Sequence, residues 1–163
     1  MLAHKLVLDA VVDQPFKLIA IHCSLEEYKL AFLLNKHLDL RLSRARNDID
    51  LHIKSVRALF SLYEYKDQQK YCDYFLVSNK YKGLSKKTTE GFGSLFGDED
   101  MASETTHLLP EYAKVDFFLK LEEESGLVSE VLLLDKIKQI PQIATAYSVA
   151  TENIKSKENL IFD

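Results

Sequence analysis

Two stretches of the chain run strand, helix, strand in the same order, and that order limits the possible folds more than any single residue does. "FKLIAIHC" (16–23) is apolar on both of its alternating faces, as a central strand is. A helix follows it directly, and "DLRLSR" (39–44) reads as a short strand. Later, "VDFFLKL" (115–121) alternates with a period of two, a helix spans 127–140 until Pro141 stops it, and "QIATAYSV" (142–149) reads as a returning strand. Between the two units, "VRALFSLYEY" (56–65) and "YCDYFLVSN" (71–79) predict a hairpin around the polar "KDQQK". The order predicts an α+β fold: a two-layer sandwich whose largely antiparallel sheet carries two main helices on one face. That is an elaborated form of the ferredoxin-like, split βαβ plan.

The local patterns predict details. Ser24 with Glu27 three places on forms a capping box, and Leu25, Tyr28, Ala31, Phe32, Asn35 and Leu38 follow at helical spacing on one face. In the second helix Leu127, Val131, Leu134 and Ile137 make the inward stripe. Val128 and Leu132 fall on the more polar side, beside Asp135 and Lys136, and point to a further contact. In 115–121, Val115, Phe117, Leu119 and Leu121 share one side and Asp116, Phe118 and Lys120 the other, the pattern of a strand covered on one face. Gly83, Gly91, Gly93 and Gly97 are four of the five glycines, and they place a flexible loop at about 82–107. The spacing of "GFGSLFG" is not that of a phosphate-binding loop, and no GKS or GKT follows.

A chain of 163 residues is expected to form one domain that buries its own core. The formal charge of -4 offers no pull towards nucleic acid or an anionic membrane, and nucleic-acid binding is disfavoured. The longest apolar run, Leu30 to Leu34, is too short to span a bilayer, and the opening "MLAHKLVLDAVVDQP" lacks the apolar core of a secretory signal. The expected location is the cytoplasm. Cys23 and Cys72 belong to no CxxC pair, and no cofactor or metal spacing stands out. Arg41, Arg44 and Arg46 form a small basic cluster, which Asp48 and Asp50 offset into a solvated face.

The residues "LPEYAKVDFF" (109–118) hold the densest signal. Pro110 fixes its own φ and forces Leu109 to be extended, while Glu111 or Asp116 can accept bonds from loop amides or from a basic side chain. This reads as strand entry and anchoring. The same two carboxylates could also form an acid-base or metal pair, with His107 or His22 as an assisting group. The stretch resembles the signature of the IPExxxVDY family, small proteins of Bacteroidetes named for the motif rather than for an activity. Pro110, Glu111, Val115 and Asp116 match it, while Leu109 and Phe117 replace isoleucine and tyrosine. "IHCSLEEYKLAFLLNKHLDLRL" and "SKENLIF" extend the resemblance over nearly the whole chain.

The last third is similar to ACT-like regulatory domains, in which a glycine turn and the start of a helix hold an amino-acid ligand. Gly126 matches the turn glycine and Ser125 stands where many such domains have proline. Helix N-terminal amides favour a carboxylate there, but Glu122, Glu123 and Glu124 would repel one. Asn35, on the apolar helix face, needs partners at a strand end or on a ligand. His22, Cys23 and Ser24 occupy a strand-to-helix corner, where neighbouring strand residues point to opposite faces and a packed thiol is expected over a nucleophile.

These features predict a non-catalytic regulatory or adaptor protein that binds a partner protein or small ligand. Two alternatives stay open: an enzyme using Glu111 and Asp116, and single-stranded RNA binding with Tyr63, Tyr65, Tyr74 and Phe118 as stacking platforms on an open sheet face. A homodimer is expected, with Phe118 and the apolar end Leu160, Ile161 and Phe162 as its surface, unless that tail folds back as an edge strand.

Overall fold

The computed structural model describes residues 15–86 and 101–162. In chain order the strands and helices are β1 (Phe16–His22), α1 (Glu27–Leu38), β2 (Ser43–Arg44), β3 (Ile49–Ile53), β4 (Val56–Phe60) and β5 (Leu62–Asp67). There follow β6 (Cys72–Ser78), β7 (Lys80–Lys86), β8 (Met101–His107), β9 (Phe117–Glu123), α2 (Glu130–Lys138) and β10 (Thr145–Val149).

β1 lies in the interior of the main sheet because Leu18, Ile19, Ala20 and Ile21 are apolar in succession and wholly buried. Antiparallel partners flank it, with Ile19 opposite Leu119 of β9 and Ala20 opposite Tyr147 of β10. β9 pairs in turn with β6, and the six-stranded sheet has the order β10-β1-β9-β6-β5-β2. Its first four strands, with α1 after β1 and α2 after β9, reproduce the split βαβ order. The remaining strands are insertions into that plan. Both helices cover one face, where Leu30, Leu34, Leu133 and Ile137 pack over Ile19, Leu76 and Leu119.

The opposite face is covered too, which corrects the expectation drawn from 115–121. Leu18, Phe75, Val77 and Phe118 lie beneath Ala58, Phe60, Leu108, Leu109, Ile154 and Leu160. Phe118 is wholly buried, and Lys120 is only 4% exposed. Lys120 meets the cost of burial through its partners: Nζ donates to the Leu160 carbonyl at 2.8 Å and to the Glu122 carboxylate. It also lies 4.9, 5.7 and 5.0 Å from the ring centres of Phe16, Phe75 and Phe162. The tail therefore folds back as a 3-10 turn, Lys157–Leu160, and not as an edge strand. Phe118 and Leu160 are enclosed by their own chain and so do not belong to the expected dimer surface, whereas Ile161 stays exposed.

Other local expectations shift for physical reasons. Residues 56–65 are two strands, because the chain breaks at Ser61; β5 pairs with β6 as expected, while β4 pairs with β3. The β3–β4 turn, Lys54 and Ser55, has φ of 49° and 67°, the left-handed pair of a type I′ hairpin built without glycine. The strand expected at 39–44 shrinks to Ser43–Arg44. β7 and β8 pair along their lengths and occupy both ends of the expected loop, while 87–100, with Gly91, Gly93 and Gly97, lie outside the described residues.

The helix faces also differ. α1 begins at Glu27 without a side-chain cap, and the Glu27 carboxylate accepts from Ser61 Oγ at 3.1 Å instead of closing a box with Ser24. Its buried stripe is Leu30, Ala31, Leu34 and Leu38, leaving Tyr28 and Phe32 exposed. In α2, which Ser129 caps by accepting from the Leu132 amide, Leu133 and Ile137 point inward; Val128 just before it is buried, while Leu127 and Val131 are exposed.

Residue Ser55 supplies a direct test of the hairpin. A non-glycine residue in the left-handed region costs about 1 kcal/mol, so Ser55→Gly is expected to raise the stability of the chain by roughly 0.5–1 kcal/mol. Urea denaturation followed by far-UV circular dichroism measures the difference, and an unchanged or lower midpoint would contradict the assigned turn.

Candidate functional site

The loop that carries "LPEYAKVDF" is organised by a residue outside it. Asn79 directly follows β6, is wholly buried, and uses its backbone and its side chain on the loop. Its N–H donates to the Asp116 carbonyl and its C=O accepts from Leu108 N, each at 2.9 Å. Oδ1 accepts from Leu109 N at 2.9 Å, and Nδ2 donates to the carbonyls of Tyr112 and Val115, both at 2.9 Å. A buried amide is tolerated only when its donors and acceptors find partners, and here one amide ties down the start, middle and end of the loop. Inside this clamp Pro110–Tyr112 forms a 3-10 turn with the proline at its start, and Leu109 is extended at φ −116°, ψ 95°. Leu108, Leu109 and Val115 are buried.

The two acids of the motif serve separate anchors. Glu111 Oε1 accepts from the amides of Lys155 and Ser156, each at 2.8 Å, and Oε2 accepts from Ser156 Oγ at 3.1 Å. Burial pushes its carboxyl up, but the donors from Ser156, its own amide and Lys155 together hold it below the usual carboxylate range. Asp116 Oδ2 accepts from the Cys23 amide at 3.0 Å and Oδ1 from Lys80 Nζ at 2.7 Å, while its backbone N–H donates to the Ile21 carbonyl at 3.2 Å. Glu111 thus fastens the C-terminal segment, and Asp116 fastens the β1–α1 corner and the start of β7. The two carboxylates have no hydrogen-bond partner in common.

His22 and His107, the possible assisting groups, close β1 and β8. Among the described residues, no three His, Cys, Asp or Glu side chains are grouped so that they could hold a metal ion. His22 Nε2 lies 3.1 Å from Tyr147 Oη. His107 stands opposite Lys80 in the β7–β8 ladder, and burial together with the Lys80 charge lowers its pKa. Burial pushes the Cys23 thiol up and the Asp116 charge adds to this, against the opposing bond from Leu25; burial also pushes the Cys72 thiol up to about 11. Neither is a ready thiolate at neutral pH.

At the turn before α2, Gly126 has φ +68°, which the turn requires and glycine adopts freely. The amides beside it already have acceptors. Val128 N donates to Glu123 Oε1 at 2.7 Å and Leu127 N to Ser125 Oγ at 3.2 Å, while Ser125 Oγ donates to the Lys70 carbonyl at 2.7 Å. Glu123 therefore sits where a ligand carboxylate would bind. The hollow beside the turn, lined by Leu38, Tyr74, Leu127, Val128 and Leu132 among others, measures about 170 Å³, less than the roughly 300–1,000 Å³ of typical small-molecule sites. Asn35 is likewise engaged: its amide donates to the Leu42 carbonyl at 3.0 Å and accepts from Leu42 N at 2.8 Å, as a strand partner would.

Of the rings considered for RNA stacking, Tyr74 and Phe118 are enclosed and Tyr63 is nearly so, while Tyr65 stacks on Tyr74 with ring centres 5.9 Å apart. Sequence reasoning did not single out Asn79 or Lys80. The only sign of Asn79 was a polar residue ending the apolar run "YFLVSN". Comparisons with family models, with curated proteins and with solved structures found no match.

Two measurements test this account of the motif. Asn79→Asp removes both donors and sets a carboxylate against two carbonyls, so a loss of about 3 kcal/mol or more is expected by urea denaturation, well beyond a typical surface substitution. The second concerns Glu111. Because folding lowers its pKa, Glu111 stabilises the fold fully above about pH 4.5, and this contribution is lost as the pH falls through the lower, folded value. Glu111→Gln is expected to be less stable than wild type at neutral pH, with the gap closing on acidification. A gap independent of pH would contradict the role assigned to the ionised carboxylate.

Proposed function

We propose that this protein is a non-catalytic adaptor that binds a partner protein through the outer surface of its helical layer. One observation carries the reading: Leu127, just before α2, and Val131 and Leu132 in its first turn are 66%, 67% and 63% exposed. Covering one large aliphatic side chain is worth about 1.5–3 kcal/mol, so these residues can supply much of the energy of a modest interface. Engagement of the polar groups supports the same reading. Glu111, Asp116, Asn35 and the amides beside Gly126 are committed to bonds within the chain. A small acidic ligand at the Gly126 turn would have to displace Glu123, which favours a protein partner over an amino acid even if the ACT-like regulatory plan holds.

The motif residues Pro110, Glu111, Val115 and Asp116 support membership of the IPExxxVDY family, and two buried, unpaired cysteines support a reducing, cytoplasmic setting. Among the described residues no helix is long and apolar enough to cross a membrane. The test uses wild-type protein and a Val131→Asp/Leu132→Asp variant as baits in native lysate. Both substitutions lie on exposed positions, so the variant is expected to keep the wild-type circular dichroism spectrum. A protein retained by wild type, lost by the variant, and shown with purified components to bind at least tenfold more weakly to the variant is the expected result. Equal capture by both baits would overturn the proposal.

A further inference from the structure

The outer strands of this fold differ in how they are protected. β2 contains Arg44, β3 Asp50, β4 Arg57, β7 Lys80 and Lys82, and β8 Glu104. Such charges, together with proline, are the ordinary means of keeping a sheet edge from pairing with another chain. β10, "TAYSV", has neither a charged residue nor proline. It runs in unbroken register against β1 from Leu18↔Val149 to His22↔Thr145, and among the described residues no strand pairs with its other side. β2, at the far edge of the same sheet, is two residues long, and its Arg44 pairs with Asp48 and Glu27. Among the described residues the main sheet is therefore protected at one edge and unguarded at the other.

We propose that the β10 edge is a self-pairing surface, which joins the sheets of two copies of this chain through antiparallel β10–β10 contact about a two-fold axis. A two-fold contact sets each surface against itself, so it tolerates only a strand without like charges facing one another. β10 meets that condition over its whole length. On its helical side the Glu130 carboxylate accepts from Ser148 Oγ at 2.6 Å. At the centre of the strand Tyr147 is 39% exposed and rests against His22, with ring centres 5.5 Å apart, so its ring is already positioned to meet a copy across the axis. This surface is distinct from Leu127, Val131 and Leu132, and the pairing does not depend on the adaptor reading.

The test is the mass of the full chain in solution. Light scattering after size exclusion, with the protein at about 50 µM, a concentration suited to a modest interface, is expected to give twice the 18.7 kDa of one chain. Tyr147→Lys puts two like charges opposite each other at the axis and is expected to give the mass of one chain with an unchanged circular dichroism spectrum. Tyr147→Phe is expected to remain paired. Ser148→Lys, at a neighbouring exposed position, serves if the first variant does not fold. Wild type with the mass of one chain would overturn the proposal, including the case in which the β10 amides resist hydrogen exchange because another segment or another protein covers them. A doubled mass that persists in the folded lysine variant would overturn it as well.

Discussion

The structure around the motif depends on one buried amide. Asn79 stands where β6 gives way to β7, and its backbone and side chain together hold the segment leading from β8 into β9. Without it the carbonyls of Tyr112 and Val115 and the amide of Leu109 would lose a partner at or near the core, each at a cost of about 1–3 kcal/mol. The clamp has structural consequences in two directions. It sets the point at which β9 enters the sheet between β1 and β6, and it presents Glu111 to the C-terminal segment, which in turn covers the second face of that sheet.

The second face explains where the sequence was legible and where it was not. The order of the main strands and helices could be read because it rests on runs of apolar residues, such as those of β1, and on a stop such as Pro141. The β3–β4 hairpin could not, since its turn is Lys54–Ser55 and carries none of the asparagine–glycine chemistry that marks such turns. Lys120 misled for a different reason. A lysine in alternation ordinarily marks a solvated face, and its burial here is tolerable because the tail adds the Leu160 carbonyl and the Phe162 ring to the Glu122 carboxylate around Nζ. The tail's Leu160 lies 40 positions away, a distance that no local pattern reports.

Helix faces were misread in part: Ala31, Leu38 and Ile137 are buried as expected, while other members of each expected stripe are not, with a single cause in both helices. Tyr28, Phe32, Leu127 and Val131 are apolar, and apolarity was equated with burial, whereas the sheet takes up only the narrower stripes Leu30, Ala31, Leu34 and Leu38 in α1 and Leu133 and Ile137 in α2. The surplus of apolar side chains over what the core accepts is what makes the helical layer a candidate interface. The candidate site residues fared unevenly for a related reason. Residue types such as Glu111, Asp116, Asn35 and Gly126 could be picked out from chemistry and spacing, but whether an acceptor is free or already bonded depends on what lies opposite it in space. Glu123 at the Gly126 turn is the clearest case, since the chain itself supplies the carboxylate that a ligand would otherwise bring.

The spacing of the motif follows from the same geometry. Tyr112 N donates to the Leu109 carbonyl and Val115 N to the Tyr112 carbonyl, each at 2.9 Å, two successive bonds of the three-residue period. Residues 109, 112 and 115 therefore recur on one side of the loop, and that side faces Asn79, whose Oδ1 reaches the first and whose Nδ2 reaches the other two. Pro110 begins the turn within this frame, Glu111 projects to Lys155 and Ser156, and Asp116 follows at the first position where the chain must leave the turn and join β9. Inserting or removing one residue between Pro110 and Asp116 would carry Val115 out of reach of Nδ2 and turn one acid away from its anchor. The interval from Pro110 through Glu111 to Asp116 thus follows from three backbone bonds to one buried amide together with the separate anchors of the two acids.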